Sequence, residues 1–172
     1  MSLLLKKPGE CPEDAPPWFQ AAYSHYGEKE IRGTKDNPFI KHLWEQLGFG
    51  DRHDEVPWCA IFVNAMLQAA NIKGTGKAIA ISFEGWGEEV KSLGGARIGD
   101  IVVLLRFGAN HYKQYPKDWR RHVGFLVSVH GAQHNVVRLL GGNQHDMVCE
   151  CDFPARRISA IRRPLVTGVT QA

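Results

Sequence analysis

The chain changes its hydrophobic rhythm close to residue 99. Before it, apolar residues recur every three or four positions; after it, they come in short β-branched runs separated by turn residues. A period near 3.6 predicts helices and a period near 2, or a short continuous apolar run, predicts strands. PPWFQAAYSHYG reads as a short helix, opened by proline and closed by Gly27. NPFIKHLWEQLGFG reads as a second, with Asn37 as N-cap, Pro38 at the first helical position and Phe39, Leu43, Trp44 and Leu47 as its apolar stripe. A third runs from Pro57 to about Ile72; only Asn64, Gln68 and Asn71 break its apolar surface, so it is expected to be mostly buried. SFEGWGEEVKSLGG gives a weaker fourth, closed by glycines.

Beyond Gly99, the runs DIVVLL, HVGFLVSVH, NVVRLLGG, DMVCECDF and ISAIRRP predict an antiparallel meander of about five strands. Helices first and strands second define an α+β class, with the buried helix laid across one face of the sheet. The chain of 172 residues is expected to form a single catalytic domain, with a core over about 18–164 and flexible termini at 1–17 and 165–172. The segment 106–121, RFGANHYKQYPKDWRR, is a long insertion between the first two strands, and loops of that length are usually functional or disordered.

Charge and cysteine content narrow the function. A net charge of +3, from 21 Lys and Arg against 18 Asp and Glu, is too mild for a nucleic-acid binder and suits an anionic surface such as a bacterial wall. The opening MSLLLKKPGECPEDAPP places leucines before lysines, the reverse of a secretory signal, and is too short to span a bilayer. The expectation is a protein made in the cytoplasm without a signal peptide and without a membrane partner. Cys11, Cys59, Cys149 and Cys151 are too few and too irregular for a disulfide framework. Cys149 and Cys151 fall on one strand face, which suits packing better than bridging; with His145 they still fall short of a zinc ligand set, so no metal and no cofactor is expected.

Cys59 stands apart from the other three. Pro57 fits a first helical turn, which places Cys59 where unpaired N–H groups and the helix dipole favour a thiolate. The alternative is core filling, since free cysteine is among the most buried residue types. A partner base decides between them. If 122–130 and 134–143 pair as a hairpin around a two-residue turn at Ala132 and Gln133, His122 stands opposite Asn143, close enough for an amide-to-imidazole hydrogen bond. His134, the competing orienter, then lies at the hairpin tip, too far away. Cys59, His122 and Asn143 are thus the candidate nucleophile, base and orienting residue. A slip of two residues would instead put Gly141 opposite.

The ordered set PWCAIFVNAML, GDIVV, HVGF, LLGGNQ and IRRP, with DNPFIKHLW and AISFEGWG upstream, resembles a bacterial and phage branch of the NlpC-like and CHAP-like cysteine peptidases and amidases. The resemblance covers roughly residues 18–164. It implies a papain-like α+β core and carries the catalytic roles to Cys59, His122 and Asn143. It further implies hydrolysis of amide bonds in peptidoglycan stem peptides, by a lysin, an autolysin or an antibacterial toxin, the last with an immunity protein as partner. A thiol acyltransferase or deamidase acting on proteins, and a catalytically silent binding module, are the alternatives. The insertion departs from the branch. Its Tyr112, Lys113, Trp119 and Arg121 are candidate contacts to the carboxylates of a wall-derived peptide, with Trp58 beside the thiol lining the cleft; a solvated excursion is the competing reading.

Two other patterns have plainer explanations. NIKGTGKAIA lacks the glycine, the hydroxyl residue and the preceding strand of a phosphate-binding loop, so it reads as a connection. Asp100 in GDIVV reads as a strand-entry residue that binds backbone, and Ser82 as the N-cap of the weak fourth helix.

Overall fold

The computed structural model describes residues 10–33, 35–107, 109–114 and 119–166, with residues 109 and 112 described by backbone alone. Helices α1 (Pro17–Ser24), α2 (Pro38–Gln46) and α3 (Cys59–Ala69) come first. Six strands follow: β1 (Glu88–Glu89), β2 (Ile101–Leu105), β3 (Arg121–His130), β4 (Val136–Gln144), β5 (Met147–Pro154) and β6 (Ile158–Arg163). A short helix, α4 (Ala109–Gln114), lies in the insertion between β2 and β3.

The helix signals act as expected at α2. The Asn37 side chain accepts a hydrogen bond from the Phe39 N–H at 2.7 Å, and Pro38 occupies the first turn, where no N–H is needed. The buried stripe is Ile40, Leu43 and Trp44, with Phe39 and Leu47 half-buried beside it. Helix α3 is buried from Cys59 through Leu67 and packs on β3, β4 and α1. Each of Ile61, Phe62, Val63 and Leu67 is fully enclosed, and burying such a side chain is worth about 1.5–3 kcal/mol, which holds α3 in place. Asn64 is buried as well, although it was expected on a polar face. It donates to the Ala60 and Lys77 carbonyls and accepts from the Gly76 N–H, tying the 73–77 connection to the helix.

The sheet is antiparallel throughout, in the order β1-β6-β2-β3-β4-β5. It is not a simple meander, because β6 crosses back to pair with β2 instead of staying beside β5. Sequence periodicity finds strands but carries no signal for which edge a strand joins. Alternation sorts the two faces: Ile101, Val103, Val123, Phe125 and Leu140 belong to the core under the helices, while Val102, Leu104, Leu126, Val137 and Leu139 form a second cluster on the other face. The weak fourth helix is replaced by two 3₁₀ turns, Ala80–Gly85 and Leu93–Gly95, flanking the two-residue strand β1. Its glycines, at 85, 87, 94 and 95, leave too few good helix formers in a row to sustain α-helix. Ser82 sits inside the first of these turns and donates to the Ile79 carbonyl instead of capping a helix.

Asp100 does what a strand-entry acid should. It is buried, accepts from the Arg97 N–H at 2.8 Å and receives Arg163 on both oxygens at 2.9 and 2.8 Å, linking the start of β2 to the end of β6.

Candidate active site

Helix α3 opens at Cys59, with Trp58 as its N-cap, so the thiol occupies the first helical position and Pro57 lies one residue outside. Cys59 is 8% exposed. The N–H groups of Val123 and Ala60 are directed to its sulfur, and the charge of Arg106 adds to their pull on a thiolate. Burial outweighs these effects and pushes the thiol above its ordinary value. The helix terminus favours a thiolate, but burial outweighs it, and the protein at rest holds a neutral thiol.

The imidazole expected to be that base is close by. Val123, whose N–H reaches the sulfur, is the next residue in β3 after His122, and Cys59 and His122 line one cavity of about 440 Å³. The partner of His122 is Gln144: its Nε2 lies 2.9 Å from Gln144 Oε1. Asn143 lines the same cavity, but the hydrogen bond to the ring comes from its neighbour.

A bulge explains the one-residue difference. The expected register holds at the centre of the hairpin, where Phe125 pairs with Leu140 and Leu126 with Leu139. Between Gly141 and Gln144, however, β4 has two residues against one on β5, and Asn143 takes a left-handed φ of 56°. The extra residue hands the position facing His122 from Asn143 to Gln144. Gly142 is required at the same place, since a Cβ there would lie 2.4 Å from the Trp58 ring and 2.8 Å from the Phe62 Cβ. The signal was in the sequence: Gly-Gly-Asn inside a strand run marks a bulge. Nearer the tip the hairpin differs too, with a register shift at Val127 and a 3₁₀ turn over Ala132–His134. His134 is at that turn, remote from the site as expected.

The orientation of Gln144 fixes the tautomer of His122. Its amide nitrogen donates to the carbonyls of Leu139 and Cys149, so its oxygen must be the atom turned toward the ring. An acceptor at Nε2 calls for a proton on Nε2, which leaves the lone pair of the neutral imidazole on Nδ1. The ring stays neutral: desolvation lowers its pKa from 6.5 to about 4, partly offset by the Gln144 bond and assisted by the charges of Arg157 and Arg106.

The other proposed contacts are scattered. Trp58 is fully enclosed, stacked edge-on against Phe62 and donating to Glu30 Oε1 at 2.8 Å, a core residue beneath the site and not a wall of it. Arg121 donates to Glu84 Oε1 at 2.8 Å. Lys113 is exposed on α4, Trp119 is 58% exposed just before β3, and the Tyr112 side chain lies outside the described residues, as do 115–118. The cavity itself is instead completed by Arg106, Arg157 and the edge of β5, including Cys151 and Phe153. Of these, sequence reasoning missed Arg157, Cys151 and Phe153.

Cys149 and Cys151 share a strand face as expected, with sulfurs 3.6 Å apart and both thiols free. The Cys149 thiol is raised by its neighbour and by burial, and donates to the Gln144 carbonyl at 3.2 Å; Cys151 is lowered by its hydrogen bond with Cys149. Among the described residues, no group of three His, Cys, Asp or Glu is placed to hold a metal ion, and no helix is long and apolar enough to cross a membrane. A larger cavity of about 510 Å³ lies along β6 and residues 89–93, without Cys59 or His122. Size does not select the site; the chemistry of the lining does.

No protein-family model and no curated protein matches the sequence. The fold does have solved counterparts. NlpC1 from Trichomonas vaginalis superposes with a TM-score of 0.55 at 16% identity, over 92% of this chain and 46% of that one. NlpC2 from the same organism gives 0.53 at 16% identity, over 92% and 49%. The protein therefore has the α+β, papain-like fold of NlpC proteins, and it spans about half the length of these two.

Proposed function

We propose that the protein is a cysteine-dependent hydrolase of amide bonds, with the stem peptides of bacterial peptidoglycan as substrate. Cys59 is the nucleophile, His122 the base and Gln144 the residue that orients it; Asn143 shapes the backbone that brings Gln144 into place. The observation carrying this reading is the His122–Gln144 hydrogen bond, with the amide pinned by two carbonyls, in the cavity that also contains a thiol at a helix N-terminus. The NlpC-type fold supports the choice of wall peptide over other amides.

In this mechanism Nδ1 of the neutral His122 removes the thiol proton as sulfur attacks the amide carbonyl. The Cys59 N–H, at the helix start, stabilises the oxyanion. The imidazolium then protonates the leaving amine, and water, deprotonated by the same ring, releases the acid from the thioester. Lys113 and Trp119 are proposed as outlying contacts to substrate, since α4 and the entry to β3 are the exposed basic and aromatic part of the insertion.

The test is digestion of purified peptidoglycan from walls of different stem-peptide chemistry, followed by mass spectrometry of soluble fragments. Fragments with one new amine and one new carboxylate are expected with the wild type and absent with Cys59→Ala. Intact walls of every type after prolonged incubation with folded protein would refute the reading.

A further inference from the structure

The hold on Gln144 is built around a pair of thiols. Gln144 Nε2 donates to the carbonyls of Cys149 and Leu139, and Leu139 is the register partner of Cys151 across β4 and β5. Cys149 also donates its S–H to the Gln144 carbonyl at 3.2 Å, so the side chain and the backbone of Gln144 both lean on that residue. The sulfurs of Cys149 and Cys151 stand 3.6 Å apart, with only Glu150 between them in sequence. The two differ in access. Cys149 is fully enclosed, whereas Cys151 is 8% exposed and lines the cavity that contains Cys59 and His122. Of the pair, a small oxidant meets Cys151 first, with Cys149 behind it to resolve the product.

The strand resists a bond between them without forbidding it. Residues i and i+2 of an extended strand are about 6.6–6.8 Å apart at Cα, the upper end of the roughly 4.4–6.8 Å that disulfides span. Bringing the sulfurs from 3.6 Å to about 2 Å draws the two Cα atoms together and shortens β5 at Cys149. That residue supplies one carbonyl of the hold on Gln144 and pairs with Gly141, where the β4 bulge begins. Strained disulfides are the readily reduced ones, suited to switching and not to stapling.

We propose that Cys149 and Cys151 are a peroxide-oxidised pair whose closure to a disulfide withdraws the Cys149 carbonyl from Gln144 and so frees the amide that orients His122. The Cys151 thiolate attacks one oxygen of hydrogen peroxide; the O–O bond breaks, the second oxygen leaves as hydroxide and takes up the proton that Cys151 gave up, and Cys151 becomes a sulfenic acid. The Cys149 sulfur then displaces the sulfenic hydroxyl, which leaves as water with the Cys149 proton. Two thiols have lost two electrons and two protons to one peroxide, which ends as two waters. The hydrogen bond from the Cys149 thiol to the Gln144 carbonyl disappears with that proton. The Cys151 thiol is held below its ordinary value by its hydrogen bond with Cys149, which favours the thiolate of the first step. The effect on turnover rests on the proposed roles of Gln144 and His122, but the disulfide and the release of the amide are measured without substrate.

Native wild type and Cys59→Ala are treated with hydrogen peroxide in small excess, denatured in N-ethylmaleimide and digested with trypsin. Cleavage after Arg138 and Arg156 gives a peptide, 139–156, whose two cysteines are Cys149 and Cys151. It is expected to lose both labels and two hydrogens on oxidation, and to regain both labels after dithiothreitol. In Cys59→Ala, the Nε2–H resonance of His122, assigned by its loss in His122→Phe, should vanish with oxidation, return with dithiothreitol and persist in Cys151→Ser under the same peroxide. Turnover of wall peptide by wild type should fall at least about tenfold, the scale of losing an orienting partner, while Cys151→Ser keeps most of its own untreated rate. Where Cys151→Ser unfolds, Cys149→Ser takes its place. Both labels retained by treated native protein, a bond from Cys151 to Cys59, no Nε2–H resonance in the reduced protein, or a disulfide that leaves that resonance in place overturns the proposal. An equal fall of turnover in Cys151→Ser assigns the loss to Cys59 and overturns it too. A disulfide that removes the resonance, in a protein that cleaves no wall peptide before oxidation, keeps the switch and overturns the hydrolase.

Discussion

Strand β3 carries a histidine near each end, and the two are built for different purposes. His130 lies 3.3 Å from Asp152, a carboxylate that Arg138 also grips and holds below its ordinary pKa. It is 38% exposed, and a pair of that kind contributes little to stability. His122 is half-buried and faces an amide, not a carboxylate. An amide fixes ring direction and tautomer without supplying the negative charge that would keep the ring protonated. The difference teaches that an imidazole is kept neutral here by withholding a counter-ion, with desolvation and the charges of two arginines, the state that the proposed base requires.

The sharpest break between the cysteines and histidines of these two regions should come at sulfur. Cys59→Ser should remove essentially all turnover on wall peptide, whereas Cys151→Ser, in the same cavity but away from the helix terminus, should leave most of it. Full loss in both variants, with native folding, would mean that the nucleophile is not distinguished by its helix.

Exchanging the partner of His122 comes next. Gln144→Ala should lower kcat by about 10 to 100-fold through lost orientation of the ring, and Asn143→Ala by clearly less, because its contribution is the bulge and not the hydrogen bond. A larger loss at Asn143 would return the orienting role to that residue.

Gln144→Glu would make the His122 end resemble the His130 end. A carboxylate 2.9 Å from Nε2 favours the imidazolium, so the acid limb of the kcat/KM profile should move up by at least about one pH unit from its wild-type position near 4. An unmoved limb would place the essential base elsewhere.

The smallest effect is on stability. In the unfolded chain His122 takes up a proton as pH falls through about 6.5, and in the folded protein only near 4. Below 6.5 the unfolded state therefore binds more protons, and stability is lost progressively between 6.5 and 4. The shift caps this loss at about 3 kcal/mol, and partial exposure of the ring makes it smaller. Denaturation curves at pH 7 and 4.5 should show a smaller difference for His122→Phe than for wild type, while His130→Ala should change neither curve by more than about 1 kcal/mol.

Much of the architecture was legible because it depends on local pattern. The Asn37-Pro38 cap, the all-round apolar α3 and the five main strands each follow from a period or a capping residue that acts within a few positions. The placement of the candidates Cys59 and His122 was legible for the same reason, one at a helix start and one at a strand start. The hydrogen-bond partner of the His122 ring lies one position beyond Asn143, because a strict alternation rule has no place for the Gly-Gly-Asn bulge that turns Asn143 aside. Trp58 was drawn to the site by its proximity in sequence, but the missing Cβ of Gly142 lets the ring pass beneath the strand and into the core.

By itself, then, the sequence determined the class of fold, the helix that presents the thiol and the strand that presents the imidazole, since these are properties of short windows. Tertiary structure alone decided that β6 crosses to β2 and so carries the turn with Arg157 to the carbonyls of Leu105 and Arg106. It alone decided the ionisation of the pair as well: a helix terminus favours a thiolate and a free imidazole titrates near 6.5, but desolvation depends on what the rest of the chain places around them, and here it keeps both groups neutral at rest.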